Sequence, residues 1–253
     1  MNNIVKFPLL IFALWFAALW LSTLVGDSFR KWLRPLEEEE RHDFGVIQAA
    51  TLTLLGPHYR IHLFDGRQQV DQRKNYEAAD ANAIGTEYVR ADMLSAADAA
   101  RVRELLKNYL DQRVRFYKTR DVGQLRQIDT YTAQLRNELW STVHARAAAQ
   151  LTPVVALAVS GMNDVLNSQG YTQAAWWNRI PVAAWVLLAT IAIGCNLLIG
   201  YGAHRTYRLL FLVLPLAVSV SFFLIADIDS PRGGLIHVQP QNLEILYQTL
   251  YPH

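Results

Sequence analysis

Three long stretches of this chain are almost free of charged side chains, and they lie toward its two ends. Residues 8–25 and 180–203 carry no charge, and residues 209–228 carry one aspartate. A helix rises about 1.5 Å per residue, so stretches of about 20 apolar residues reach across the hydrocarbon layer of a bilayer. Nearly all other charge lies between residues 26 and 150. This segregation predicts an integral membrane protein rather than a soluble enzyme.

The composition agrees with a membrane class and argues against several others. Hydrophobic residues make up 52% of the chain and charged residues 18%, with a net charge of +2. So small a charge, with no cluster of basic residues, predicts no nucleic-acid partner. The single cysteine, Cys195, offers no disulfide framework. No hydrolase, phosphate-binding or zinc-binding motif occurs, which predicts no catalytic residue, no metal site and no cofactor. The pair His58 and His62, at helical spacing, is assigned no role.

The apolar stretches define the predicted spans. Residues 8–25 could be a signal peptide, but they contain two tryptophans and no clear cleavage site follows, which favours a retained span. The stretches 180–203 and 209–228 are joined by the six residues 203–208, of which Ala203 also ends the first stretch. So short a connection predicts a helical hairpin. Trp176, Trp177 and Arg179 precede it, as is typical of side chains at a headgroup boundary.

The central stretch, from residue 71 to about 168, reads as amphipathic helices. Ser95 and Asp98 have the spacing of a capping box. Residues 121–123 break the pattern, and Pro153 opens a helix that is predicted to end near 168–170. Apolar positions recur every three or four residues and predict the core: Val102, Leu105, Leu106, Tyr109, Leu110, Tyr117, Leu125, Ile128, Thr132, Leu135 and Leu139. No strand-like alternation appears.

One apolar stretch is too short to span. Residues 44–56 are apolar, but they lead directly into the polar sequence PHYRIHLFDGRQQV at 57–70. Thirteen residues do not cross a bilayer. Without this span, the number of crossings would be odd.

Several motifs in the chain resemble one known family. These are PLEEEER at 35–41, DFGV at 43–46, DQRKNYE at 71–77, ANAIGTEY at 81–88 and IDSPRGGLI at 228–236. Together they resemble the bestrophin-like proteins of bacteria, a domain of unknown function named for its likeness to bestrophin anion channels. The resemblance covers nearly the whole chain. It implies a membrane protein that forms an oligomeric anion channel, with a pentamer as the family's assembly.

The departure from that family is residues 57–70, where a member would carry an apolar stretch. One set of codons for these 14 residues, with its first base removed and its last codon completed to tyrosine, reads LIIGFTFSMAVSRY before the frame rejoins at Asp71. This predicts a compensated pair of frame shifts, in the gene or in its sequencing. The alternative is a genuine polar loop.

Four carboxylates with near-helical spacing are candidates for chemistry. Glu77, Asp80, Glu87 and Asp92 could form a cation site or a proton relay. The favoured interpretation is instead a solvated or subunit-facing helix, with Arg73, Lys74 and Arg90 as partners. The resemblance selects Asn82, Gly85 and Glu87 within the shared motif as candidates for helix packing or a pore wall.

Two further charged groups stand near predicted membrane edges. Asp227 and Asp229 close the last span, with Arg232 as the expected partner of an ion pair at the membrane edge; a transport site is the alternative. The acidic run at 37–40 predicts a solvated loop, with a subunit or lipid contact as the alternative.

The resulting prediction is an all-α integral membrane protein. Residues 1–70 form an N-terminal pair of spans, 8–25 and 44–70, the second disrupted at 57–70. Residues 71–175 form a helical extramembrane domain, 176–230 the C-terminal transmembrane hairpin, and 231–253 a tail. The expected function is a homo-oligomeric channel for inorganic anions in the lipid bilayer, multi-pass in the bacterial inner membrane. A membrane-anchored interaction or scaffold protein is the rival, and proton-coupled transport ranks third. Basic residues flank both sides in similar number, which leaves the orientation open.

Overall fold

The computed structural model describes residues 8–32, 38–149, 152–202 and 211–251. These residues are almost entirely helical and contain no strand, which confirms the all-α prediction. The helices are α1 Pro8–Trp32, α2 Glu38–Arg90, α3 Ala96–Lys118, α4 Val122–Ala149, α5 Pro153–Trp177, α6 Val182–Gly202, α7 Val213–Asp229 and α8 Gln241–Leu250. A short 3₁₀ turn, Ala91–Met93, follows α2.

The chain divides into two compact units. The first unit comprises Met1–Gln68 and Arg179–His237, and the second comprises Gln69–Asn178 and Val238–His253. The long helix α2 contributes residues to both. The stretch predicted as one tail, 231–253, is divided between them.

The core of the first unit is built around one aromatic side chain, Phe222 of α7. Its ring stacks on Trp15 of α1 with centroids 4.2 Å apart, and it contacts Tyr59 of α2 and Trp185 of α6 at 5.8 and 5.9 Å. Around it lie further buried residues: Leu19, Ile180, Leu188, Ala192, Cys195, Val218 and Ile225. The free Cys195 is therefore a buried packing residue, as its apolar context predicts.

Helices α1 and α6 approach each other backbone to backbone. A Cβ atom on Gly200 would collide with the Thr23 carbonyl oxygen and lie 3.0 Å from the Asp27 nitrogen, and one on Gly26 would collide with the Leu197 carbonyl. Side-chain hydrogen bonds join the helices at the same level, from Thr23 to Asn196 at 3.2 Å and from Ser22 to the Ile193 carbonyl at 3.0 Å. Small residues and buried polar pairs are the usual means by which helices associate in lipid.

Two stretches among the described residues are long and apolar enough to cross a membrane, Leu9–Trp32 and Pro153–Gly202. Only 28% and 22% of their most apolar windows are buried. The core helix of a soluble protein would be mostly buried, so these outward-facing apolar surfaces suit lipid better. Helix α7 has 17 residues, and the predicted hairpin connection, 203–208, lies outside the described residues.

The backbone of residues 57–70 is helical throughout, within α2. The alternative of a polar loop in this window is therefore wrong. Pro57 sits inside the helix, where its missing N–H and its ring are unfavourable. Arg60, Asp65 and Arg67 are exposed on the same helix, and these charges explain why α2 is not among the apolar stretches.

The second unit confirms the core positions predicted by periodicity. Leu106, Tyr109 and Leu110 of α3 and Leu139 of α4 are fully buried, while Leu125 is only half-buried. The Ser95 hydroxyl accepts a hydrogen bond from the Asp98 amide at 3.3 Å, as the capping box predicts.

The prediction for the end of α5 is wrong, because the helix does not stop near 168–170 but continues to Trp177. Trp176 is buried against Phe116 and Tyr117, with ring centroids 5.2 and 5.5 Å away. The headgroup boundary at Trp176, Trp177 and Arg179 stays a prediction. Trp177 is 73% exposed. A buried aromatic cluster therefore holds the last turn of α5 together.

Candidate functional site

One face of α2 in the second unit carries charged side chains where an apolar core face would be expected. Arg73, Glu77, Asp80 and Glu87 are 2%, 2%, 0% and 0% exposed. We call these four residues the buried polar face of α2. Their spacing of three, four and seven places them on one side of the helix, together with the buried Ile84. Burial of charge is costly unless hydrogen-bonding partners compensate, so their partners define this site.

Asp80 lies at the centre of a buried polar network. One carboxylate oxygen accepts a hydrogen bond from the Arg113 guanidinium of α3 at 2.6 Å, and the other accepts from the Ser168 hydroxyl of α5 at 2.7 Å. Arg113 is itself only 3% exposed and lies over the Phe116 ring at 4.9 Å. Three helices are thus joined through one carboxylate.

Arg73 holds the C-terminal end of α5. Its Nε donates to the Ala175 carbonyl at 3.1 Å, and a terminal nitrogen lies 3.5 Å from the Asn178 carbonyl and from Gln69 Oε1. The last carbonyls of a helix have no partner within the helix and carry partial negative charge. A guanidinium at this position is therefore favourable although it is buried.

Glu77 holds the N-terminal end of α8. Its carboxylate accepts from the Leu243 amide at 2.9 Å and from the Asn242 side chain at 2.7 Å. Pro240, at the cap position, makes no side-chain hydrogen bond to the helix, so Glu77 supplies the cap from another helix. Lys118 of α3 forms an ion pair with Glu244 of α8 at 2.6 Å. The C-terminal helix is thereby attached to the second unit.

Removal of this cap should release α8. In Glu77→Ala, the Leu243 amide and the Asn242 side chain lose their acceptor, and we expect a loss of about 1–3 kcal/mol in the docking of α8. Hydrogen exchange of the amides from residue 243 onward should become faster, while exchange in α3 stays unchanged. Glu104→Ala, which removes a carboxylate 65% exposed, is the matched control. Equal protection of α8 in both variants would contradict the capping role.

Glu87 differs from the other three residues of this face. Both of its oxygens are buried without a hydrogen-bond partner in the described part of the chain. The carboxyl packs on Gly161 of α5, where an added Cβ would collide with it and would lie 2.5 Å from an Arg90 guanidinium nitrogen. Burial raises the pKa of Glu87 to about 8, against the opposing effect of Arg90 and with a smaller contribution from Asp164.

The three residues selected from the shared motif have different surroundings. Asn82 is exposed, Gly85 is half-buried with an added Cβ 3.2 Å from Leu246 of α8, and Glu87 is buried. A role for them in a pore wall or in packing stays a prediction. Within the described residues, no three His, Cys, Asp or Glu side chains are grouped to hold a metal ion.

Two of the four carboxylates have ion-pair partners that the sequence did not indicate. Asp80 pairs with Arg113 and Asp92 with Arg103, both from α3, whereas the predicted Arg90 is the basic group that acts on Glu87. Arg113 was the residue missed. Its signal is a charged side chain within the apolar repeat Leu106, Tyr109, Leu110, Tyr117, a position that requires a buried counter-charge.

The two aspartates at the end of α7 bind backbone amides in the first unit. Asp227 accepts from Leu235 and Ile236 at 2.6 and 2.8 Å, and Asp229 accepts from the Ile180 amide at 2.8 Å. Asp227 therefore folds the segment after α7, and Asp229 fixes the start of the preceding apolar stretch, 180–203. The predicted ion pair with Arg232 at a membrane edge stays a prediction.

Solved structures with the same architecture identify the fold. A mutated bacterial bestrophin homolog from Klebsiella pneumoniae superposes with a TM-score of 0.67 at 11% identity, over 94% of this chain and 97% of that one. Another crystal structure of a bestrophin homolog from this organism gives 0.63 at 13% identity, over 94% and 96%. One described as a membrane protein gives 0.65 at 13%, over 94% and 97%. No family model and no curated protein matches the sequence.

The chain thus has the fold of bacterial bestrophin homologs. The resemblance drawn from its sequence motifs is confirmed at the level of the fold. These neighbours, together with the two apolar stretches whose surfaces face outward, support a membrane location.

Proposed function

We propose that this chain is one subunit of a homo-oligomeric channel for inorganic anions, multi-pass in the bacterial inner membrane. The observation that carries the proposal is the shared fold, which extends over 94% of the chain. The resemblance of its motifs to bestrophin-like proteins supplies the anion and the pentameric assembly as expectations. The packing of α2 supplies an independent argument.

Among the described residues, the contacts of helix α2 with the rest of the first unit lie along one stripe. Phe44 lies 5.6 Å from Tyr201 and Tyr59 lies 5.8 Å from Phe222, measured between ring centroids, and an added Cβ on Gly66 would lie 2.8 Å from Ile228. The remaining sides carry exposed apolar side chains: Val46, Ile47, Leu54, Ile61 and Phe64, each 54–67% exposed. A helix packed so sparsely within its own subunit has surface available for copies of the chain and for a pore.

The same helix supports the compensated frame shift. The Tyr59 hydroxyl is buried and has no hydrogen-bond partner in the described residues, which is unfavourable in a membrane core. The apolar reading LIIGFTFSMAVSRY puts isoleucine at position 59 and removes the charges at 60, 65 and 67. It also puts alanine at 66, which requires Ile228 to shift.

The rival function, a membrane-anchored interaction protein, is favoured by the charged side chains that residues 57–70 carry in this sequence. Arg60, Asp65 and Arg67 are exposed on α2, and charged side chains at membrane depth need water or a polar partner. A chain in which α2 cannot cross the bilayer would retain α1, α6 and α7 as anchors. Its second unit would then be the functional part.

Chloride efflux from liposomes distinguishes the two functions. The purified chain as written is compared with a version whose residues 57–70 carry the apolar reading, each reconstituted at matched amounts and checked for insertion. We expect rapid chloride efflux from the restored version, because its α2 can span and face its copies. Efflux in neither version, with both inserted and folded, would contradict the channel.

A thiol-blocking experiment locates the pore in the restored version. Cys195, the one cysteine, is changed to serine, and Ala50→Cys then places a thiol on the exposed side of α2, away from the stripe. A charged thiol reagent should stop efflux through this variant if α2 lines the pore. Leu52→Cys, on the packed stripe, is the matched control. Unchanged efflux at position 50 and at its exposed neighbours would contradict a pore lined by α2.

A further inference from the structure

Glu87 is the member of the buried polar face whose carboxylate makes no hydrogen bond within the described part of the chain. Arg73 reaches backbone carbonyls, Glu77 accepts two hydrogen bonds from α8, and Asp80 is bonded to Arg113 and Ser168. Glu87 is 0% exposed, and both of its oxygens lack a hydrogen bond among the residues that the structure describes. An ionised carboxylate in such a place would be strongly unfavourable.

The groove that receives this side chain is made by a glycine. Gly161 of α5 is buried, and any Cβ there would collide with Glu87 Oε2. The carboxyl therefore lies directly on the α5 backbone, where water cannot enter between them. Gly161 thus provides room for an uncharged carboxyl but offers it no hydrogen bond.

The charged groups around Glu87 do not remove this cost. Arg90, on the same helix, favours the ionised form, and Asp164 of α5 opposes it. Arg103 of α3 donates to the Tyr88 carbonyl at 3.3 Å and pairs with Asp92, so it is already occupied. Burial outweighs Arg90, and the pKa of Glu87 rises from its ordinary value of 4.5 to about 8.

We propose that Glu87 carries a proton in the folded chain and that release of this proton loosens the contact between α2 and α5 at Gly161. The contact between α2 and α5 in the second unit then depends on this proton. This proposal concerns only α2 and α5 of the second unit, so it holds whether or not the chain conducts ions.

The direction of the pH dependence follows from the raised pKa. Between the ordinary value of 4.5 and about 8, the folded chain binds a proton that the unfolded chain has released. Stability therefore falls as the pH rises through this interval and becomes level above it. Glutamine has the same shape and never ionises, so Glu87→Gln should remove this part of the pH dependence.

The test is the thermal unfolding midpoint of the full chain, measured by circular dichroism in detergent between pH 5 and pH 9. Relative to Glu87→Gln, the unmodified chain should lose about 5 °C or more across this range. Asp164→Asn removes an exposed carboxylate that favours the proton, so it should shift the fall to lower pH without affecting folding. Infrared spectra at pH 6 should show a carbonyl band of a protonated carboxylic acid that is absent in Glu87→Gln.

Two results would overturn the proposal. One is an equal pH dependence in the unmodified chain and in Glu87→Gln. The other is a Glu87→Gln variant less stable at every pH and without a missing infrared band, which would show an ionised Glu87 paired with Arg90. If Glu87→Gln does not fold, Asp164→Asn and the infrared band of the unmodified chain still decide the matter.

Discussion

Arg113→Leu should unfold the second unit or destabilise it by about 3–5 kcal/mol, because it leaves the Asp80 carboxylate buried without its counter-charge. Asp80 is 0% exposed, and in this variant the Ser168 hydroxyl is its remaining partner among the residues that the structure describes. The loss should appear as a lower unfolding midpoint in circular dichroism. It should also appear as faster hydrogen exchange in α3 and α5, since the network joins both helices to α2.

An exposed ion pair of the same length provides the control. Arg101 and Glu138 are 2.7 Å apart but 51% and 50% exposed, so Arg101→Leu should cost less than about 1 kcal/mol. The double variant Asp80→Leu with Arg113→Leu removes both charges and should recover much of the loss, because well-packed apolar residues often replace a buried pair at little cost. An equal effect of Arg113→Leu and Arg101→Leu would show that the buried network does not stabilise the fold.

Gly200→Ala should separate α1 from α6 and destabilise the first unit by about 1–3 kcal/mol or more. The new methyl group would occupy the place of the Thr23 carbonyl oxygen, which belongs to the backbone and cannot rotate away. Separation of the helices would also lengthen the hydrogen bond between Thr23 and Asn196. Unfolding in mixed micelles with increasing sodium dodecyl sulfate, followed by tryptophan fluorescence, measures this loss.

Gly194 of the same helix is the matched control. An added Cβ at Gly194 meets nothing within 4 Å, so Gly194→Ala should be neutral or slightly stabilising through its better helix propensity. Comparable losses in the two variants would mean that the close approach of α1 and α6 is not what holds the unit together. A neutral Gly200→Ala would contradict the packing itself.

The elements that were predictable from the sequence are those in which local pattern and burial agree. Leu106, Tyr109 and Leu110 are buried because a three- and four-residue apolar repeat can place its face only toward a core. The Ser95 cap was recognisable because its partner, Asp98, lies only three residues further along the chain. The family motifs extended this to the fold, which the solved bestrophin homologs share.

The misses arise where distant residues override a local signal. Gly170 suggested a helix end, but α5 continues because Trp176 packs between Phe116 and Tyr117 from another helix. The Arg113 partner of Asp80 lies 33 positions away, and the α8 partners of Glu77 lie more than 160 positions away. Helical spacing cannot reveal contacts at such separations. In the window 57–70, Pro57 and the charges left a polar loop open as the alternative to the frame shift, and the course of α2 through the window excludes that alternative.

The unbroken course of α2 places a condition on its gene. Each residue turns a helix by about 100°, so one codon gained or lost between Tyr59 and Gly66 would rotate these two residues relative to each other by more than a quarter turn. Within the first unit, either the contact of Tyr59 with Phe222 or that of Gly66 with Ile228 would then be lost. A compensated frame shift exchanges the side chains of this window yet conserves its number of codons. Evolution of this segment can therefore change its side chains but not its number of residues.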